Sequence, residues 1–566
     1  MIAHCQNRAG ESGPESLSCP SRKANTARRL IFGVAFCSAA VPYVAGYLSS
    51  SAEFHFQGAA DYVEDVQSYF MWMRSAADSE GLPVNLFHTS PERPGFFHLL
   101  WFGLGKVVRY TGISPVLLYH GSHAMAIFLF LTALWRFLGR FLADEKQRCI
   151  AYGVCALGSG FGWLTILHEP SIPQILRHKP LIVGMSMDLW SADVNTFYSM
   201  LVSPHFALAL WMLVEIMDRL YRTVALDDLR VCISGAAFTI CLGFVHIYDL
   251  FVIAPLALCF GLIYGRTNVA RFRRILGGVT AFVIAAGVPL LVYQLLMIRT
   301  PSLAAWSAQN VLATPAPIWY LLGFGLPLIL TLTYRTGWKR ICRKEPDVLF
   351  PFLWVGVVLV LMYATLVLPF AKRLTEGLHI PLVILGVRCL YEQWIPWIRE
   401  RYQPSRLTWS ILGGMAVILV IPTNVFLVGN MTIAATGHES PYFLTADEYS
   451  ALDQLDRFAD KSKGILATEI AGNFIPRHTG MRVYAGHCHI TPDWLKHRYS
   501  IGKFMMGQMS EGEIGMFFRE NHIGYVWFGQ ETEQYRSHLP LESGQMELWY
   551  ESGGVRVYSV KDSVLR

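Results

Sequence analysis

Three acids fall close together in Asp61-Tyr62-Val63-Glu64-Asp65, and Val66-Gln67-Ser68-Tyr69 follows directly. A carboxylate held at the mouth of an apolar helix bundle is a natural general base, able to take the proton of an acceptor hydroxyl. Other polar and ionisable groups gather in short polar stretches between apolar runs. They are His88, Glu92 and His98; then Asp188, Asp193, Asn195 and His205; then His246 and Asp249 in His246-Ile247-Tyr248-Asp249. Lys372, Arg373, Glu376 and His379 form a last group within the segment from Phe370 to His379. Carboxylate, imidazole and guanidinium together can move a proton and bind an anion, the guanidinium through a bidentate fork.

The elements that must position these groups follow from composition. The chain has 566 residues, 53% of them apolar and 16% charged, with a mean hydropathy of +0.36. Apolar runs of roughly 20 residues recur, the length needed to cross a hydrocarbon core as helices. The expected fold class is a polytopic α-helical membrane protein with about eleven spans. The first run is Leu30 to Ser50, and later ones include Val116 to Trp135, Ile275 to Met297 and Trp409 to Val428. Between the first two lies a polar and aromatic loop, residues 51–114, in which Phe96 to Tyr110 reads as an interfacial helix. Residues 1–29, rich in Ser, Gly, Pro and basic residues, read as a disordered leader into an uncleaved anchor.

Every second connection is basic: Arg136 to Arg148, Arg219 to Arg230, Arg266 to Arg274, Arg335 to Lys344 and Arg399 to Arg406. By the positive-inside rule that side, with the N-terminus, is cytoplasmic. The expected location is the cytoplasmic (inner) membrane, with the long loops and the tail on the extracytoplasmic side. The net charge of +6 therefore reports topology, and no nucleic-acid partner is expected. Residues 30–430 form the expected membrane domain and residues 436–566 an extracytoplasmic α/β domain. In that tail Ala446 to Phe458 reads as an amphipathic helix with Tyr449, Leu452, Leu455 and Phe458 on one face. Gly464 to Thr468 and Gly524 to Phe528 read as buried strands, and Gly554 to Val560 as an edge strand. The eleven cysteines contain no CxxC pair, so neither a zinc motif nor a redox motif is indicated. Gly158-Ser159-Gly160, inside an apolar run, reads as a site of close helix packing.

With sides assigned, the unusual polar groups all belong to outward turns, where they would line one cavity. Taken singly, His205 or His246 reads as a helix-end histidine, and Arg373 with Glu376 as a local ion pair. Ionisable groups at membrane depth are costly, so together they point to function. The set suits transfer from a lipid-phosphate donor: a carboxylate deprotonates the acceptor and an arginine binds the departing phosphate. Trp72, Trp190 and Tyr198 offer faces on which a sugar could stack, although such aromatics also mark interfacial belts.

This layout resembles the C-type superfamily of integral-membrane glycosyltransferases. The similarity is carried by Asp65-Val66-Gln67-Ser68-Tyr69, Gly158 to Leu164, Ser203-Pro204-His205-Phe206, His246-Ile247-Tyr248-Asp249 and Lys372 to Leu382. Ile475 to Gly480 and Tyr484-Ala485-Gly486-His487 in the tail look similar too, and bacterial members match best. The resemblance implies a polyprenyl-phosphate sugar donor, a lipid, glycan or protein acceptor, membrane lipids as partners, and a base in the first external loop. Asp65 is the first choice for that base, with Asp61 and Glu64 as the alternatives, because Glu64-Asp65 departs from the family's usual order of acids. Arg373 and Lys372 would meet the phosphate. Glu376, His379, His205, His246, Asp249, Tyr69, Glu92, His98 and Asp193 would bind substrate. Metal use varies across the superfamily, and Mg or Mn on Glu92, His98 and His205 is conceivable, without a spacing that compels it. The rival readings are a secondary transporter, against which the lack of internal repeats speaks, and a non-catalytic binder of lipid-linked glycans.

Overall fold

The computed structural model describes residues 21–168, 185–266, 269–312, 314–535, 537–540 and 544–565. The first helix, α1, runs over Arg22–Ser49 and begins earlier than expected, because the Ser21 side chain accepts the Ala24 N–H and caps it. The helical part of the expected leader thus extends the first span, while residues 1–20 lie outside the described residues. Among the described residues, four helices are long and apolar enough to cross a membrane, or up to seven if each of three bent pairs is one span. The sequence count of eleven also included pieces that are shorter, such as Pro346–Leu361. The bundle is polytopic and helical. Pro115–Phe141 packs along Pro204–Ala225, Leu250–Gly265 along Val269–Arg299, and α1 along Pro422–Thr436.

At its basic end the bundle is latched by ion pairs. Arg140 meets Asp218 at 2.8 Å, and Arg340 binds Asp347 at 2.9 Å and Glu392 at 2.8 Å. Arg388 reaches the same two acids, so several helix ends share one network.

The expected continuous helix through Gly158-Ser159-Gly160 is broken. Glu145–Leu157 stops and Gly162–His168 restarts at a 45° bend. The cause is the fully buried Asp188. Its carboxylate accepts the Ser159 hydroxyl at 2.8 Å, the Gly160 N–H at 3.1 Å and the Gly162 N–H at 3.2 Å, and also Ser186. Two of these donors, the Gly160 and Gly162 amides, are ones that a continuous helix would have used internally. Gly160 is required there, since a Cβ would lie 2.2 Å from the Gly323 carbonyl in the facing bent helix. Asp188→Ala orphans the set, and a loss of about 3 kcal/mol of stability is expected. Thermal unfolding in detergent micelles checks this, with Asp188→Asn expected to lose less because it keeps an acceptor.

The tail forms a four-stranded sheet. β3 (Gly464–Leu466) pairs in parallel with β4 (Ile523–Phe528), which pairs with β6 (Val555–Val560), which pairs with β5 (Met546–Ser552). The strand expected at the edge, β6, is therefore internal, and β5 holds the edge. The alternation of β5 is broken at Trp549, where its register with β6 shifts between Leu548 and Tyr550. The helix Ala446–Phe458 forms as expected, but its buried side holds Ala451, Leu452 and Leu455, with Tyr449 and Phe458 exposed. A capping box fixes that rotation: Thr445 caps Glu448, whose side chain returns to the Thr445 N–H at 2.8 Å. Leu466, Phe504, Phe518, Val526 and Phe528 share a core beneath the sheet.

The tail is tied to the first loop. β1 (Phe54–Phe56) pairs antiparallel with β2 (Phe443–Thr445). The loop helix α2 (Val63–Asp78) takes Arg477 from the tail: its guanidinium donates to the Gln57 carbonyl at 2.9 Å and to Gln67 at 2.8 Å, and lies 4.0 Å over the Phe70 ring. The expected interfacial helix is α3 (Leu99–Thr111).

Candidate functional site

The site is built from α2 upward. Val63, Val66, Phe70 and Met73 bury one face of the helix, which leaves Glu64 and Asp65 in its first turn near the positive end of the helix dipole. The three acids separate here. Asp61 is buried, accepting the Tyr62 N–H at 2.8 Å and the Tyr198 hydroxyl, and holds the entry to the helix. Glu64 is exposed. Asp65 is half-exposed, and its Oδ1 lies 3.2 Å from His487 Nε2 of the tail.

A continuous run of rings leads from α2 to the turn that holds Lys372, Arg373 and Glu376. Tyr69 stacks on Trp101 at 4.6 Å between centroids and meets His205 edge-on at 5.0 Å. His205 lies 6.2 Å from His98 and 6.5 Å from His246, which packs 5.3 Å from Tyr248. The Arg373 guanidinium sits 5.0 Å over the Tyr248 ring, and Lys372 lies 4.2 Å over Trp190. The groups from separate turns thus meet around one region.

Its electrostatics are unusual. Burial pulls the Arg373 guanidinium down, but Tyr248, Asp193, Asp65 and Tyr69 together hold it above its ordinary value. Burial, then the charges of Asp193 and Asp249, push the Glu376 carboxyl well above the usual range. His246 Nδ1 is 3.0 Å from Asp249, and Ser191 donates to Asp193 at 3.1 Å. Several buried atoms have no hydrogen-bond partner among the described residues: Asp193 Oδ1, His246 Nε2, Arg373 Nε, His379 Nε2 and both Glu376 carboxylate oxygens. Buried polar atoms are ordinarily satisfied, so such a concentration fits a polar ligand with several hydroxyls.

Other expected residues serve elsewhere. Glu92 accepts the Ser302 N–H at 2.7 Å and pairs with His88 at 3.1 Å, fastening the first loop to the helix Pro301–Gln309. Burial raises its carboxyl, but the bonds from His88 and Ser302 prevail and hold it below the usual value. His98 caps α3 through Nδ1, and burial, with His246 beside it, pushes it down to about 3. His205 Nδ1 is committed to Ser203 at 2.8 Å, and His379 Nδ1 meets Thr196 at 3.0 Å. Glu92, His98 and His205 therefore do not form a metal set. Among the described residues no group of three or more His, Cys, Asp or Glu is placed to hold an ion. Trp72 does not offer a free face either, since Phe96 stacks on it at 4.0 Å. Asp188 belongs to the helix break, and Tyr198 is engaged by Asp61.

His487 was not picked out as a site residue. The signal in the sequence is His487-Cys488-His489 following a glycine, but only docking of the tail brings it to Asp65.

No protein-family model matches the sequence, and a search of curated proteins finds no match. Solved structures do. The archaeal oligosaccharyltransferase AglB from Archaeoglobus fulgidus, solved with an inhibitory peptide and a dolichol-phosphate, is similar with a TM-score of 0.52 and 10% identity, over 96% of this chain and 75% of that one. The A. fulgidus oligosaccharyltransferase tethered to an acceptor peptide with an NVT sequon gives a TM-score of 0.50 and 11% identity, over 95% and 74%. ArnT from Cupriavidus metallidurans in the apo state gives 0.47 and 11%, over 96% and 99%. The likeness to the archaeal enzyme shows a shared fold.

Proposed function

We propose that the chain is a membrane glycosyltransferase that moves a sugar from a polyprenyl-phosphate-linked donor to a lipid, glycan or protein acceptor on the extracytoplasmic side. The observation that carries this reading is the run of rings from Tyr69, on the helix that bears Asp65, through His205, His246 and Tyr248 to the Arg373 guanidinium, beside buried polar atoms with no partner among the described residues. The dolichol-phosphate and peptides bound by the archaeal enzyme of the same fold support it.

In this reading Asp65 takes the proton of the acceptor as its nucleophilic atom bonds to the anomeric carbon. The bond from that carbon to the phosphate oxygen breaks, and the electron pair leaves with the polyprenyl phosphate. Arg373, backed by Lys372, balances the charge that develops on the leaving oxygen. Glu376, whose carboxyl is pushed above the usual range by burial and by Asp193 and Asp249, and Asp193 offer hydrogen bonds to sugar hydroxyls, with His246 and Asp249 beside them. His379, Tyr69 and His205 line the same region. The basic connections support a cytoplasmic N-terminus and a tail, residues 436–566, on the outside.

Purified protein in proteoliposomes, given undecaprenyl phosphate bearing radiolabelled hexoses or pentoses and a membrane lipid extract, is expected to yield a covalently labelled product. Label that crosses the bilayer unchanged would point to a transporter instead, and label that only binds would leave a glycan-binding protein.

A further inference from the structure

His487 Nδ1 accepts the backbone N–H of His489 at 3.2 Å, so a neutral ring carries its proton on Nε2. That nitrogen faces Asp65 Oδ1 at 3.2 Å. The ring is only 4% exposed, and its loop is pinned on several sides. Asn85 donates to the Ile490 carbonyl at 3.1 Å, Gln309 donates to the carbonyls of His489 at 3.1 Å and Thr491 at 2.9 Å, and Thr491 receives the Gly486 N–H at 3.0 Å. A rigid imidazole thus meets a carboxylate whose own side chain is 40% exposed.

We infer that His487 is the positioning residue of Asp65, so that the proposed base is completed only when the tail is docked; this rests on the reading of Asp65 as base. The Nε2–H fixes the carboxylate's rotamer and, by bonding to its charged form, favours the ionised state that accepts a proton. Facing the pair are Glu64 on the same helix turn, Tyr69 one turn on, Arg373 from the turn that also holds Lys372 and Glu376, and Cys488 and His489 from the tail. His487 does not touch the reacting atoms in this scheme. Its role is to aim and to charge-poise the group that does.

Two measurements on the full chain in proteoliposomes test this. With histidine labelled in ¹⁵N, solid-state NMR at neutral pH is expected to show His487, assigned by its loss in His487→Gln, with a protonated Nε2 and a bare Nδ1. The Nε2 signal is expected to move in Asp65→Asn. An Nδ1-protonated ring, or a signal indifferent to Asp65→Asn, overturns the inference. With the radiolabelled undecaprenyl-phosphate sugars above, His487→Ala is expected to lower kcat about tenfold and to move the acid limb of the pH profile up by about one unit, at unchanged donor KM. His487→Gln, which keeps an N–H donor, is expected to recover most of the loss. A His487→Ala protein with the wild-type pH profile also overturns it. Full transfer by Asp65→Asn would instead remove the proposed base while the NMR arm still reports on the pair.

Discussion

Asp65→Asn is expected to lower the rate of sugar transfer by about a thousandfold while leaving the fold intact. The substitution keeps the size and one acceptor oxygen of the side chain, so His487 Nε2 still has a partner at 3.2 Å. What it removes is the capacity to take a proton. Its neighbours separate this effect from a structural one. Glu64→Gln, at an exposed position, is expected to stay within a few-fold of the wild type. Asp61→Asn disturbs a carboxylate that holds Tyr62 and Tyr198 and is expected to show as a lowered unfolding temperature. Single-turnover transfer alongside thermal unfolding for the three variants checks the assignment. Full activity of Asp65→Asn would sink the mechanism.

Arg373→Met is expected to reduce kcat by about a hundredfold, mainly through the departure of the phosphate. The guanidinium rests on the Tyr248 ring, and Asp65 and Asp193 hold it charged, so the positive charge is already in place before the donor arrives. Preorganised charge of this kind lowers the barrier because nothing has to reorient as the leaving oxygen gains its electrons. Arg373→Lys keeps the charge but loses the planar fork and the ring stacking, and is expected to recover only part of the rate. The same assay, run with donors whose leaving groups differ in acidity, checks the assignment: the Met variant should be more sensitive to the leaving group than the wild type.

Much of this architecture could be read from residue patterns. Apolar runs and alternating basic connections revealed a polytopic bundle, because the demand for internal hydrogen bonding in lipid leaves a strong imprint on sequence. The helix at Ala446–Phe458 was equally plain, since period and cap agree there. Long-range placement left weaker traces. Nothing local says that Asp188 folds back to break a helix at Gly158 to Phe161, and the glycines there invite the opposite reading. Glu92 looked like a candidate ligand by residue type alone, yet Ser302, from a distant helix, claims it. Asp61 and Asp65 look equivalent in one dimension, and only the arrival of Tyr198 at one and His487 at the other distinguishes them. β6 passed for an edge because its partner β5 carries glutamates on an exposed face.

The ribbon of β1 and β2 has a bearing on biogenesis. Its first half leaves the ribosome early, while the second follows only after the entire helical bundle has been made. For that interval the nascent polypeptide presents an unmatched strand edge with two phenylalanines, Phe54 and Phe56, a surface prone to stray pairing. That edge is satisfied only once Phe443 to Thr445 have been made and have paired with it. By the same logic, tails exchanged between relatives must bring along Phe443 to Thr445, or the hybrid will lack the seam that closes the molecule.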